Sequence, residues 1–221
     1  MKGDRSIPPL GTAVPRRGGP LSRAFGRLVL RVFRWRIEGG LPNLPRFVVI
    51  GAPHTSSWDF VFGISTILAL GVDLRWMGKS SLFRPPFGRI LKRLGGLPID
   101  RSRPHGLVDQ TIAAFAEREK LVVGIMPEGT RKRVAKWKTG FYRIASGADV
   151  PIVPARLDYG RRCVGIGSPL SPSGNLEGDL RVIRDFYGDV AARHPPLFDL
   201  EAVTALGDPQ DQRPTLRPNA G

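Results

Sequence analysis

Three short runs of Val- and Ile-rich sequence constrain this chain most: RFVVIGAP (46–53), LVVGIMPEG (121–129) and VPIVPARL (150–157). Each reads as a buried strand, since a short apolar run bounded by turn residues is the signature of a strand covered on both faces. DLRWMGK (73–79), LPID (97–100) and RCVGIGSPL (162–170) read as further strands. Helical stretches lie between them: FVFGISTILALG (60–71), 87–94, 107–119, 139–146 and 176–193. Alternation of this kind predicts an α/β fold, a single domain with a mixed, largely parallel sheet flanked by helices. The 221 residues fit one domain with short extensions.

The charge is uneven. The formal net charge is +15, and residues 1–46 carry ten basic residues against Asp4 and Glu38. A second basic cluster holds Arg131, Lys132, Arg133, Lys136, Lys138 and Arg143 with no acid among them. An anionic partner follows: a nucleic acid, an anionic membrane or a phosphorylated substrate. Residues 1–20 are rich in Gly, Pro and Arg and lack apolar periodicity, so disorder is expected there. In residues 21–37, Leu21, Phe25, Leu28, Val29, Val32 and Phe33 recur at spacings of three and four, with Arg23, Arg27, Arg31 and Arg34 on the other face. That pattern predicts a basic amphipathic helix, assigned to 21–40, too short and charged to span a bilayer but suited to its interface. The remaining divisions are a central domain at 41–194 and an irregular polar tail at 195–221.

Two loops that follow apolar strands hold reactive residue types, and in open α/β sheets sites collect at the carboxyl ends of strands. The first offers His54 and Asp59. Positions five apart diverge around a regular helix, so the two meet only if His54 sits in the turn and Asp59 on the first helical turn. An Asp at one ring nitrogen fixes the tautomer and stabilises the imidazolium formed at the other, which makes a general base. The second loop is MPEGTRKR (126–133), where a turn exposes backbone amides and Arg131 supplies a fork that matches phosphate. A tight turn with a solvated basic face is the alternative there. The single cysteine, Cys163, excludes an intramolecular disulfide and falls in an expected strand, which suits a buried small apolar residue better than a nucleophile.

Taken together, these segments resemble the glycerolipid acyltransferases, the family of the 1-acyl-glycerol-3-phosphate and glycerol-3-phosphate acyltransferases. Four motifs carry the resemblance, in order, over roughly residues 45–160. They are His54-x-x-x-x-Asp59, the Gly95-Gly96-Leu97-Pro98-Ile99-Asp100-Arg101 element, Glu128-Gly129-Thr130-Arg131, and the Val150-Pro151-Ile152-Val153-Pro154 strand. The resemblance implies transfer of a fatty acyl group from acyl-CoA or acyl carrier protein to a glycerolipid phosphate, with lysophosphatidic acid as the first acceptor. It implies His54 as base and Asp59 as its partner. Glu128, Gly129, Thr130, Arg131, Arg101 and Lys79 would form the acceptor site, and no metal or other cofactor is needed. An anionic membrane surface is the implied partner, met peripherally on its cytoplasmic face. Another lysolipid, an ornithine lipid or a glycolipid is the alternative acceptor. Outside the enzyme class, a basic lipid- or nucleic-acid-binding protein remains, though no helix-turn-helix, zinc-finger or RNA-binding aromatic signature is visible.

Overall fold

The structure, a computed structural model, describes residues 7–99 and 106–206. Asp100 and Arg101 lie outside the described residues. The elements run α1 (Pro20–Val32), β1 (Arg36–Glu38), β2 (Arg46–Ala52), α2 (Ser57–Leu70), β3 (Leu74–Lys79), α3 (Gly88–Arg93), β4 (Gly96–Ile99), α4 (Gly106–Ala116), β5 (Leu121–Ile125), α5 (Gly140–Gly147), β6 (Ile152–Asp158), β7 (Cys163–Ile166) and α6 (Leu176–Phe186). The fold is α/β. A seven-stranded sheet has the order β1-β7-β6-β2-β5-β3-β4, parallel except for the antiparallel β6–β7 pair.

Strand β2 is the axis of the sheet, and its alternation explains the layers. Phe47 and Val49 face one side, where they join Leu30 of α1 and Phe62, Ala69 and Leu70 of α2. Val48 and Ile50 face the other, against Phe115 of α4, Phe141 and Ile144 of α5, and Leu180 and Ile183 of α6. Successive strand residues point to opposite faces, and a central parallel strand covered on both becomes continuously apolar. From β2 the chain first builds the β3–β4 side, returns to place β5 beside β2, then crosses to β6 on the other flank. The carboxyl end of β2 therefore emerges where the chain switches direction, the usual position of an α/β site.

The amphipathic helix is shorter than its periodicity predicts. Helix α1 ends at Val32, Arg34 has a positive φ of 59°, and Arg36–Glu38 pairs with β7 as an edge strand. Trp35 and Ile37 turn inward, each 6% exposed, and Trp35 stacks on Phe62 with ring centroids 3.9 Å apart. The first turn of α1 starts at Pro20, whose fixed φ suits a helix start. Residues 7–19 differ from the expectation of disorder. Val14 is buried, Asp73 donates its N–H to Pro15 at 2.8 Å and Arg17 donates to Gly71 at 2.9 Å. These backbone bonds, with Val14 in the core and Ile7 and Leu10 packed against it, hold the segment without any apolar periodicity. At the other end, α6 stops at Phe186, short of the expected 193. Ala202 and Val203 of the expected polar tail are buried, and Ala202 accepts the N–H of Trp137 at 2.8 Å.

Helices α1 and α2 meet closely at Gly26. A Cβ there would come within 2.5 Å of the Ser65 carbonyl oxygen and 2.6 Å of the Ala69 nitrogen. Backbone cannot retreat as a flexible side chain can, so Gly26→Val should force the helices apart. The expected cost is about 1–3 kcal/mol of unfolding free energy, as for other overpacked interiors, read from urea denaturation at neutral pH.

Candidate active site

Three consecutive backbone N–H groups follow Pro53, and each is bound by a carboxylate. His54 donates to Oε1 of Glu128 at 2.8 Å. Thr55 and Ser56 both donate to Oδ2 of Asp59, each at 2.7 Å. The local sequence dictates this. Ser56 is the N-cap of α2, its Oγ accepts from the Trp58 N–H, and Asp59 at the third helical position reaches back to close a capping box. The expectation of His54 in the turn and Asp59 on the first helical turn matches this arrangement. The Thr55 hydroxyl accepts the N–H of His194 at 3.3 Å, tying the turn to the segment after α6.

Asp59 is 1% exposed and Glu128 3%. Nδ1 of His54 lies 3.7 Å from Oδ2 of Asp59, within ion-pair reach but longer than a hydrogen bond. Nδ1 itself is buried while the side chain keeps 22% of its exposure, so the ring turns its Nε2 edge to the opening. Burial pushes the imidazole below the usual histidine range. Asp59 opposes that shift and Arg131 adds to it. The resting ring is therefore neutral at pH 7, the form that accepts a proton.

Glu128 arrives on the turn after β5, and the β2–β5 register (Ile50 opposite Ile125) brings it level with His54. Gly129 has φ 67°, so the turn needs a residue free of a Cβ. The aliphatic end of Lys138 lies 3.2 Å from where that Cβ would be. Thr130 accepts the Lys132 N–H at 3.3 Å through Oγ1. Arg131 reaches across to donate to the Ser57 hydroxyl at the first residue of α2. His54, Asp59, Glu128 and Arg131 thus converge. Lys79 closes β3 at the same carboxyl edge of the sheet, and Arg101 lies outside the described residues.

One contact was not foreseen from the sequence. The Tyr159 hydroxyl donates to Oδ1 of Asp59 at 2.6 Å. Tyr159 stands 100 residues from Asp59, and only the β6–β2 adjacency brings them together. Its place just past the VPIVPARL run, at a strand's carboxyl end, was the available signal. Lys138, part of the basic cluster but not singled out, is the other addition. Around the opening, Trp58, Phe60 and Val61 of α2 are exposed, and Phe60 meets Trp76 edge-on at 5.1 Å. The α2 segment therefore does two things: Phe62, Ala69 and Leu70 pack the core while Phe60 and Val61 face outward.

The profile of the Acyltransferase family matches residues 36–158, more than half of the chain. The chain belongs to the acyltransferase family. It is an enzyme of that class. It is 28% identical over 217 residues to a 1-acyl-sn-glycerol-3-phosphate acyltransferase of Haemophilus influenzae, covering 88% of this chain and 87% of the relative. It is 33% identical over 165 residues to the chloroplastic 1-acyl-sn-glycerol-3-phosphate acyltransferase BAT2 of Brassica napus, covering 69% of this chain but 45% of that protein. The crystal structure of the LPA acyltransferase PlsC from Thermotoga maritima shares the fold, with a TM-score of 0.52 and 19% identity over 78% of this chain and 80% of that one.

In this acyltransferase, burial pushes the Glu128 carboxyl up to about 7; the His54 N–H pulls it down and Asp59 adds to the rise. The folded protein therefore holds this proton more tightly than the unfolded chain, whose reference value is 4.5. Stability conferred by the bound proton is fully present below that reference and is lost as pH rises through about 7. The loss is about 3 kcal/mol at most. Glu128→Gln cannot ionise, so its urea-unfolding free energy should stay flatter between pH 5 and 8 than that of the unaltered enzyme.

Proposed function

We propose that this acyltransferase moves a fatty acyl group from a thioester, on CoA or acyl carrier protein, to the free hydroxyl of 1-acyl-glycerol-3-phosphate, giving phosphatidic acid. The observation that carries the reading is one convergence. A neutral, partly open imidazole lies 3.7 Å from a buried carboxylate, and Arg131 stands over the first residue of α2 beside it. The names of the Haemophilus and Brassica relatives support the acceptor.

In the reaction the acceptor hydroxyl lies at Nε2 of His54. The ring takes its proton as the oxygen attacks the thioester carbonyl, and Asp59 stabilises the imidazolium that forms. Collapse of the tetrahedral intermediate breaks the carbon–sulfur bond, and the imidazolium returns its proton to the departing thiolate. No covalent enzyme intermediate is required. Cys163 takes no part: it is buried in β7, and burial, with Glu38 adding, pushes its thiol up to about 12. The acceptor phosphate is bound by Arg131, whose guanidinium stands beside the first residue of α2. Gly129 and Thr130 shape the turn that carries Arg131 and Lys138 lies over it; the family resemblance adds Lys79 and Arg101 to the acceptor site, and Arg101 lies outside the described residues.

The lipid product requires a membrane surface. Among the described residues, no helix is long and apolar enough to cross one. Instead α1 presents a stripe of Leu21 (87% exposed), Phe25 (59%), Leu28 (57%) and Val32 (66%), flanked by the exposed Arg27 and Arg31. That is the layout of a helix lying in a charged interface. Trp35, inside the expected 21–40 segment, serves the core instead.

His54→Ala should lower kcat by about 10²–10⁴ with the fold intact, measured by radiolabelled acyl transfer; near-normal turnover would remove the mechanism. Arg131→Ala should raise the acceptor KM more than the thioester KM. Replacing Leu21, Phe25, Leu28 and Val32 together by Ser, which disturbs no buried residue, should reduce sedimentation with phosphatidylglycerol vesicles at least tenfold. Undiminished sedimentation would exclude α1 as the contact.

A further inference from the structure

We infer that Tyr159 is a positioning residue of the proton-transfer unit, holding the Asp59 carboxylate through its second oxygen. The inference rests on His54 as the base and assigns a role to a residue one position beyond the 36–158 family match.

The two oxygens of Asp59 have separate tasks. Oδ2 accepts the Thr55 and Ser56 N–H groups and faces His54 Nδ1. Oδ1 accepts only the Tyr159 hydroxyl among the hydrogen bonds of the described residues, at 2.6 Å. That length falls in the range of charge-assisted O–H to carboxylate bonds. A carboxylate held at one oxygen can still pivot about its Cβ–Cγ bond. Tyr159 pins the other end, and so fixes how Oδ2 presents itself to the imidazole.

The tyrosine is itself held on several sides. Its ring meets Trp35 edge-on at 5.0 Å and Phe62 at 6.0 Å. The Arg193 guanidinium carbon lies 5.6 Å over its centroid, and its backbone N–H donates to Ala191 at 2.8 Å. The charged and titratable groups around the pair are Asp59, His54, Glu128, Arg131 and Arg193. Burial, with Asp59 adding, pushes the phenol up, so it stays a donor across the working range. A tyrosine needed only for packing has no use for its hydroxyl here, because Trp35 and Phe62 contact the ring alone.

Removing the hydroxyl takes a positive dipole away from Asp59. The carboxylate then stabilises the imidazolium more strongly, and His54 keeps its proton to higher pH. It also presents Oδ2 less rigidly, which slows the step. The test compares the full chain with Tyr159→Phe, His54→Ala and the double variant, in acyl transfer from acyl-CoA to 1-acyl-glycerol-3-phosphate. Tyr159→Phe should lower kcat about tenfold, leave both KM values within twofold, and shift the acid limb of kcat/KM upward by about half a pH unit. In the His54→Ala background the same change should have no further effect, since Tyr159 acts through the ring. An ¹⁵N NMR titration of His54 should show the same upward shift independently of turnover. If His54→Ala is inactive but Tyr159→Phe keeps its kcat, or loses kcat with the His54 titration unmoved, the inference fails while the base assignment stands. If His54→Ala stays active, the base assignment fails and this inference fails with it.

Discussion

Buried amides and buried carboxylates are each costly alone, and the site is organised by their mutual satisfaction. The N–H groups of His54, Thr55 and Ser56 leave the sheet in succession, before helical bonding begins. A buried N–H must find an acceptor, and a buried carboxylate must find donors. Asp59 supplies the acceptor from within the next helical turn, so cap and site are one feature. Glu128 supplies it from 74 residues away, and this second pairing depends on sheet register. A one-residue slip of β5 against β2 would carry the turn that holds Glu128 about 3.3 Å along the sheet and leave the His54 amide without its acceptor.

This division explains what could be read from the sequence. Interactions governed by local spacing were legible. The five-residue spacing required His54 in the turn and Asp59 on the first helical turn, and the continuous apolar runs of β2, β5 and β6 located the sheet. Strand β1 was hidden because RWRI continues the arginine pattern of α1, and its inward alternation of Trp35 and Ile37 is too short to compete with the helical periodicity that runs from Leu21 to Phe33. The ordered path of residues 7–19 was hidden for another reason. Its backbone partners, Gly71 and Asp73, are supplied by a remote turn that composition does not reveal. Tyr159 belongs to the same class, since its contact depends on which strands become neighbours.

The net charge of +15 separates into structural and unpartnered parts once the folded positions are known. Arg17 donates to the Leu94 and Leu74 carbonyls, Arg36 pairs with Glu38, and Arg156 and Arg161 share Asp189. These arginines tie edges and loops to the sheet. Arg27 and Arg31 of α1 enter no ion pair among the described residues, whereas in the 131–138 turn Arg133 already pairs with Asp199. The basic field that a partner meets is therefore local and two-part: one face of α1 and the rim of the candidate site.

That rim completes the electrostatics of the imidazole. Two carboxylates close to one histidine would ordinarily protonate it and destroy it as a base. Three features oppose that result here. The ring is buried at Nδ1, which disfavours its cation. Arg131 adds a like charge. Glu128 engages the His54 backbone rather than the ring and titrates only near 7, so at neutral pH it carries part of a charge. Asp59 faces the ring, at a distance too long for a hydrogen bond. An acceptor phosphate docking on Arg131 would offset the one nearby charge that disfavours the imidazolium. On the proposed mechanism, substrate binding would thus raise the basicity of His54 when its proton affinity is needed.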